Sequence, residues 1–257
     1  MIDWPYFSRS LLQLRYRLRA AFMLSLAAML AAMSMHVAAA PIKISGTLVA
    51  GGNVNGGYRF SPDGSLIVFK ADKDTDESAG IYSLASGGGA IIKLAGSSVA
   101  GRSVSADFVI SPDGTTVLFL GDLATEGVDE LYRVPIGGGV VSMMTGSIGV
   151  NGEVREFGAN ATSTRAVFTA NRVTAGVTEL YSAPIGPVVG GPIANLSGPL
   201  VLGGDVSSFQ ISPDGATVVF IADKTTDGLV GATATRPTWP QIRAHLATRC
   251  GLQGLAP

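Results

Sequence analysis

The sequence predicts an all-β fold, a partial β-propeller of four-stranded antiparallel blades with about 3.5 blades visible. Three observations predict it. Ser-Pro-Asp-Gly recurs at Ser61–Gly64, Ser111–Gly114 and Ser212–Gly215. Each copy leads into a short apolar strand ending in Phe69, Phe119 or Phe220, and a degenerate copy ends in Phe168, so the steps are 50, 49 and 52 residues. Composition agrees, because 34 glycines and only 14% charged residues suit a protein of many turns and pleated strands. So much glycine would be costly in a helical bundle. An open β-sandwich has similar strand content, but its strands need not resemble one another at fixed distance.

Within each unit the first strand carries Phe60, Phe108, Phe157 or Phe209. The tetrapeptide follows as a turn, with proline presetting φ and Asp and Gly favouring turn geometry. Asp63, Asp113 and Asp214 are expected to accept backbone hydrogen bonds within their own turns. Gly64, Gly114 and Gly215 are expected at positive φ. The second strand covers 67–70, 117–120, 166–169 or 218–221, where β-branched and aromatic residues suit a packed sheet. A polar loop of about eight residues precedes the third strand, which holds Ile81-Tyr82, Leu131-Tyr132 or Leu180-Tyr181. The tyrosines are expected to pack between blades. Gly87–Gly89 and Gly137–Gly139 turn the chain into a fourth strand at Ile91 and Val141, and a longer Gly/Pro loop does so before Ile193. A single blade cannot bury its own faces and needs neighbours.

These boundaries divide the chain into 1–40, a signal segment; 41–54, a lead-in; 55–230, the repeats, at about 55–100, 101–150, 151–200 and 201–230; and 231–257, a tail of different composition. Arg9, Arg15, Arg17 and Arg19 precede the apolar run Ala21–Met33, and Val37-Ala38-Ala39-Ala40 offers small residues for cleavage. Export to the periplasm or secretion is the expectation, with no stable membrane span after cleavage. An uncleaved anchor over about 20 residues is the alternative. Removing residues 1–40 leaves 14 basic and 18 acidic residues, so no nucleic-acid footprint is expected.

After Asp227-Gly228 the expected Glu-Leu-Tyr strand is replaced by a tail holding Trp239, His245 and the single cysteine, Cys250. A shifted or truncated reading frame accounts for the change, as does a capping helix over Trp239–Ala247. Three full blades and half a fourth leave open edges, which favour self-association.

Chemistry is sparse. No G-x-S-x-G elbow is present, one histidine outside the signal segment cannot make a Ser-His-Asp triad, and zinc would lack ligands. No catalytic residue and no enzymatic activity are expected. The one candidate metal loop holds Asp72, Asp74, Asp76 and Glu77, whose oxygens suit Ca²⁺. The plainer reading is a solvated hairpin loop.

The run of Ser-Pro-Asp-Gly, a Val-Val-Phe-type strand, Ala-Asp and Glu-Leu-Tyr resembles the WD40-like propeller repeat of bacterial TolB-type proteins. It is carried by Ser111–Leu120 with Glu130–Pro135, by Ser61–Asp72 with Ile81–Leu84, and by Ser212–Asp223. Copy three keeps Glu179-Leu180-Tyr181 but has Asn160–Ser163 in place of the tetrapeptide. The resemblance covers about residues 55–228. It implies a propeller and a non-catalytic module that binds an envelope protein or peptide through its loops. Similar repeats form the propeller of prolyl-oligopeptidase-type serine peptidases, so a fragment of such a peptidase is the alternative. A calcium- or carbohydrate-binding surface module is the third reading.

Overall fold

The computed structural model describes residues 17, 19, 22–23, 41–54, 56–97, 101–148, 151–174, 176–186, 191–223 and 231–237. The chain divides into two units, residues 1–42 and 43–257, and the repeats lie in the second. Most of the signal segment, the Trp239–Ala247 helix and Cys250 lie outside the described residues. No helix among the described residues is long and apolar enough to cross a membrane.

Fifteen strands among the described residues form four antiparallel sheets. Blade 1 is β1 (Tyr58–Phe60), β2 (Leu66–Ala71), β3 (Gly80–Ala85) and β4 (Ile92–Ala95). Blade 2 is β5 (Val104–Ile110), β6 (Thr116–Gly121), β7 (Glu130–Pro135) and β8 (Ser142–Met143). Blade 3 is β9 (Val154–Ala159), β10 (Arg165–Ala170), β11 (Glu179–Pro184) and β12 (Ala194–Asn195). Blade 4 is β13 (Val206–Ile211), β14 (Val218–Ala222) and β15 (Gly231–Thr235). In every sheet the strands neighbour one another in chain order, the meander of a propeller blade.

The tetrapeptide turns form as their residues dictate. Gly64, Gly114 and Gly215 have φ of 72°, 73° and 70°. Asp63 accepts from the Ser65 N–H at 3.1 Å, Asp113 from the Thr115 N–H at 3.1 Å and Asp214 from the Ala216 N–H at 2.9 Å. Copy three makes the same turn without the tetrapeptide. Ser163 takes φ of 56° at the glycine position, and the Asn160 side chain accepts from the Thr164 and Arg165 N–H groups at 2.9 and 3.0 Å.

Consecutive blades share apolar cores. Val68 and Ile81 of blade 1 pack with Phe108, Val117, Phe119 and Tyr132 of blade 2. Leu118, Leu120 and Leu131 on the other face of blade 2 pack with Ala166, Phe168 and Tyr181 of blade 3. Val167 and Leu180 of blade 3 then pack with Val218 and Phe220 of blade 4. Each blade thus offers an aliphatic face forward and a Phe-bearing face backward. The tyrosines stack on their cross-strand phenylalanines, with centroids 5.5 Å apart for Phe69–Tyr82, 5.6 Å for Phe119–Tyr132 and 5.8 Å for Phe168–Tyr181.

Backbone stitches join the blades as well. The Val104 N–H donates to the Ala79 carbonyl at 2.9 Å, Val154 to Asp129 at 3.1 Å and Val206 to Thr178 at 2.7 Å. Each acceptor lies in the loop just before the third strand of the preceding blade. Side chains add to the first junction, where Arg59 Nε donates to the Phe108 carbonyl at 2.9 Å and its guanidinium lies 5.8 Å from the Phe108 ring centre.

Three expectations are corrected. The repeat does not stop at residue 230, because Gly231–Thr235 pairs with β14 over its whole length. The offset from second to third strand is nine residues in all four blades, as in Gly121↔Glu130 and Ala222↔Gly231. Glycine, alanine and threonine leave no apolar alternation to read there, and the strand is largely exposed. The repeat also begins before Asn55, since the lead-in already does blade work: Val49 donates to the Lys73 carbonyl at 3.1 Å and Asp72 to the Asn53 carbonyl at 3.1 Å. Finally, Phe60 is not the counterpart of Phe108. Tyr58 pairs with Phe69 as Phe108 pairs with Phe119, and Phe60 sits two residues on, opposite Ile67.

Candidate functional site

The acidic loop is divided among several tasks. The Asp72 carboxylate accepts the Asn53 backbone N–H and is buried. Asp74 pairs with Lys93 at 3.1 Å and with Lys73 at 3.8 Å. Burial pushes the Asp74 carboxyl up, but Lys93, the Tyr82 hydroxyl and Lys73 outweigh it and hold it below the ordinary range. The Asp76 carboxylate lies over Gly51, where a Cβ would come within 2.5 Å of it. Glu77 occupies a left-handed turn position, φ 58°, matched by Gly127 and Gly176 at 71° and 74° in blades 2 and 3. Among the described residues no three His, Cys, Asp or Glu side chains converge as a metal-holding group. The loop brings Asp74 to two lysines and sets Asp72 to a backbone amide.

The Asp72 contact belongs to a series. Asp122 accepts the Ser103 N–H at 2.6 Å, Asn171 accepts the Glu153 N–H, and Asp223 accepts the Asp205 N–H. In return the Asp122, Asn171 and Asp223 N–H groups donate to the carbonyls of Ser103, Glu153 and Asp205 at 3.2, 3.2 and 3.4 Å. One side chain per blade thus clamps the segment entering the inner strand. In the sequence these are three aspartates and one asparagine just after the second strand. The sequence does not show that their acceptor atoms meet backbone donors.

The buried glutamates are structural in the same way. Glu130 accepts the Tyr132 hydroxyl at 2.7 Å, and burial pushes its carboxyl up despite that bond. Glu179 accepts the Tyr181 hydroxyl and, at 2.8 Å, the Asn195 amide. Burial pushes all three tyrosines upward, with Asp74 adding to it at Tyr82, Glu130 at Tyr132 and Glu179 at Tyr181. These pairs sit inside the blades, and Tyr132 also lines the groove between blades 1 and 2.

What remains for recognition is surface. The forward face of blade 4 bears Val219 and Ile221, 44% and 41% exposed, where Leu118 and Leu120 of blade 2 are buried under the next blade. At the other end of the array Tyr58 and Phe60 on β1 are 68% and 57% exposed, while the equivalent Phe108 is buried. Among the described residues, grooves lie between the third and fourth strands of one blade and the neighbouring blade. One of about 420 Å³ separates blades 1 and 2, and one of about 370 Å³ separates blades 2 and 3.

No family model matches the chain, and no curated protein matches it. Solved structures do. A candidate dipeptidyl aminopeptidase IV from Bacteroides ovatus superposes with a TM-score of 0.50 at 16% identity, over 68% of this chain and 27% of that one. Prolyl oligopeptidase B from Galerina marginata superposes with a TM-score of 0.51 at 13% identity, over 73% of this chain and 28% of that one. The chain spans about a quarter of the length of these relatives. Likeness at such identity is a likeness of fold, and the fold it shows is that of consecutive β-propeller blades.

Proposed function

We propose that the chain is a non-catalytic, exported propeller module that works by protein–protein contact in the bacterial envelope, of the kind its TolB-type repeat motifs suggest, with a second copy of the chain as the partner at its array ends. The observation that carries this reading is the pair of array ends. Val219 and Ile221 offer the aliphatic half of a blade junction, and Tyr58 and Phe60 are the exposed part of the aromatic half, whose Phe69 is already buried. In each internal junction those halves bury one another. The occupant we assign to the blade 4 face is therefore a blade-type sheet, supplied by a second copy of this chain. The polar inventory supports a binding role, since the clamps and tyrosine pairs are consumed within the blades.

Sedimentation velocity tests it. The purified chain should self-associate with micromolar concentration dependence, and Val219→Lys with Ile221→Lys should abolish the association while leaving the β circular dichroism intact. A monomer at all concentrations, or association indifferent to both substitutions, defeats the reading.

A second reading rests on the structural neighbours: the chain is the propeller portion of a peptidase-type protein. Its support is that the two relatives above carry peptidase names and that this chain matches about a quarter of each. Sequencing the coding DNA through and beyond the Gly228 codon, in all frames, tests it. A downstream G-x-S-x-G motif supports a lost or separate catalytic domain. Its absence in every frame removes the reading.

A further inference from the structure

We propose that the groove between the outer strands of blades 2 and 3 binds a small organic oxyanion carrying an apolar arm, gripped by Arg133 and Arg172. The inference goes beyond the end-face reading and is independent of it.

The two arginines line one groove with Met143, Met144, Pro192 and Ile193. Both are half-buried. Arg133 Nη1 donates to the Ile185 carbonyl, and Arg172 Nε donates to the Thr145 carbonyl at 3.0 Å. These acceptors are neutral, and a guanidinium has five N–H donors. Among the described residues neither arginine forms an ion pair with a carboxylate. Burial alone already lowers the Arg133 pKa, the mark of a cation short of compensating charge. A bound oxyanion offsets that cost and takes bidentate bonds from a planar fork. The methionines and Ile193 supply a deformable apolar wall.

The repeat provides an internal control. Groove 1 is the same junction one blade earlier, and it lacks these features position by position. Leu123 stands where Arg172 is, since each follows the clamp residue, Asp122 or Asn171. Ser83 stands where Arg133 is, each following the stacked tyrosine. Lys93 of groove 1 is neutralised by Asp74 at 3.1 Å. Ala95 stands where blade 2 has Thr145, and the hydroxyls of Ser83 in blade 1 and Thr145 in blade 2 are both buried with no partner. Thr145 lies between the lining residues Met144 and Gly146. Groove 2 thus holds two arginines with no carboxylate ion pair among the described residues, Arg172 also lying 5.9 Å from the Tyr181 ring centre, and groove 1 holds neither. Groove 1 joins blades 1 and 2 without the two arginines, so a blade junction does not itself require them.

The full chain, in a buffer free of phosphate and carboxylate, would be titrated calorimetrically with hexyl phosphate, hexanoate, inorganic phosphate and hexanol. Saturable binding of hexyl phosphate or hexanoate is expected, tighter than inorganic phosphate and absent with hexanol. The tighter of the two identifies the head group as phosphoryl or carboxylate. Arg172→Leu and Arg133→Ser install the groove 1 residues, and each should weaken binding about tenfold or more. If either variant loses its cooperative melt, Arg172→Lys and Arg133→Lys replace it, with a weakening of about severalfold expected from loss of the fork. No saturable binding of either anion, equal binding of hexanol, or affinity unchanged by the substitutions would overturn the proposal.

Discussion

Asp122 and Ser103 hold one another by two hydrogen bonds running in opposite directions. The Ser103 N–H donates to Asp122 Oδ1 at 2.6 Å, and the Asp122 N–H donates to the Ser103 carbonyl at 3.2 Å. The next residue is Val104, whose N–H stitches blade 2 to Ala79 of blade 1 at 2.9 Å. The clamp therefore orients the residue that makes the junction. Asp122 Oδ2 also accepts the Gly127 N–H at 3.3 Å, so one carboxylate ties three segments.

Removing that carboxylate should cost more than an exposed acid would. Asp122→Ala leaves the partly buried Ser103 amide without its acceptor, and a loss of about 1–3 kcal/mol is expected. Asp122→Asn keeps an acceptor oxygen and should cost less, because Asn171 already does this work in blade 3. Urea unfolding of the two variants measures the difference. Equal losses would mean that charge, rather than acceptor geometry, holds the clamp.

Glu77 should be replaceable with a gain. It stands at φ 58° where blades 2 and 3 use glycine. Left-handed backbone costs an L-residue about 1 kcal/mol. Glu77→Gly is therefore expected to raise stability by up to about that amount, while Gly127→Ala and Gly176→Ala should lower it similarly. Parallel thermal melts check the sign at all three positions. If Glu77→Gly instead destabilises only when Ca²⁺ is present, the carboxylate is a ligand after all.

Acid sensitivity should come from the tetrapeptide turns. The Ser61 hydroxyl, then the Ser65 hydroxyl and N–H, hold Asp63 at about 2, below the ordinary 3.8. Asp214 is lowered chiefly by the Ser212 hydroxyl, then by the Ala216 N–H. At Asp113 burial acts upward, but Ser111 and Thr115 outweigh it. A carboxylate with a depressed native pKa contributes stability that is complete above the unfolded value and fades as pH falls through the native one. The loss is thus expected between about pH 4 and pH 2. Asp63→Asn should flatten that part of the curve, as Asn160 already does in copy three. An unchanged acid limb in circular dichroism would exclude these turns as its source.

Much of this architecture is legible in the residues, and what is not legible has physical causes. Turn glycines, paired phenylalanines and the forward and backward faces follow from residue type and period. The Gly231–Thr235 strand escapes because small residues can sit in a sheet without an alternation to announce them. Its nine-residue offset from β14 was present in the sequence, yet only register gives the offset meaning. Asp72 shows its oxygens in the sequence but not the Asn53 amide that one of them meets. Tyr58 and Phe60 are two residues apart and both aromatic, so composition alone could not decide which faces Phe69. The arginine groove joins residues 39 positions apart, Arg133 and Arg172, and no local motif marks such a pair.

The fourth blade lacks one element that the others share, and restoring it should stabilise the array. Phe220 pairs with Thr233, whereas Phe69, Phe119 and Phe168 pair with Tyr82, Tyr132 and Tyr181. Those rings stack at 5.5–5.8 Å. Gly231 likewise stands where blades 2 and 3 place the glutamate that accepts the tyrosine hydroxyl. Thr233→Tyr adds an aromatic pair worth about 0.5–1.5 kcal/mol beyond its area. Adding Gly231→Glu supplies the acceptor and removes a flexible residue from the start of the strand. The double variant is expected to melt higher, by about 2–4 °C for each kcal/mol gained in a chain of this size. Thr233→Tyr alone should gain less, since its hydroxyl would have no carboxylate beside it. A double variant that melts no higher than the parent would mean that β15 does not hold Thr233 opposite Phe220, and the fourth blade would then need a different register.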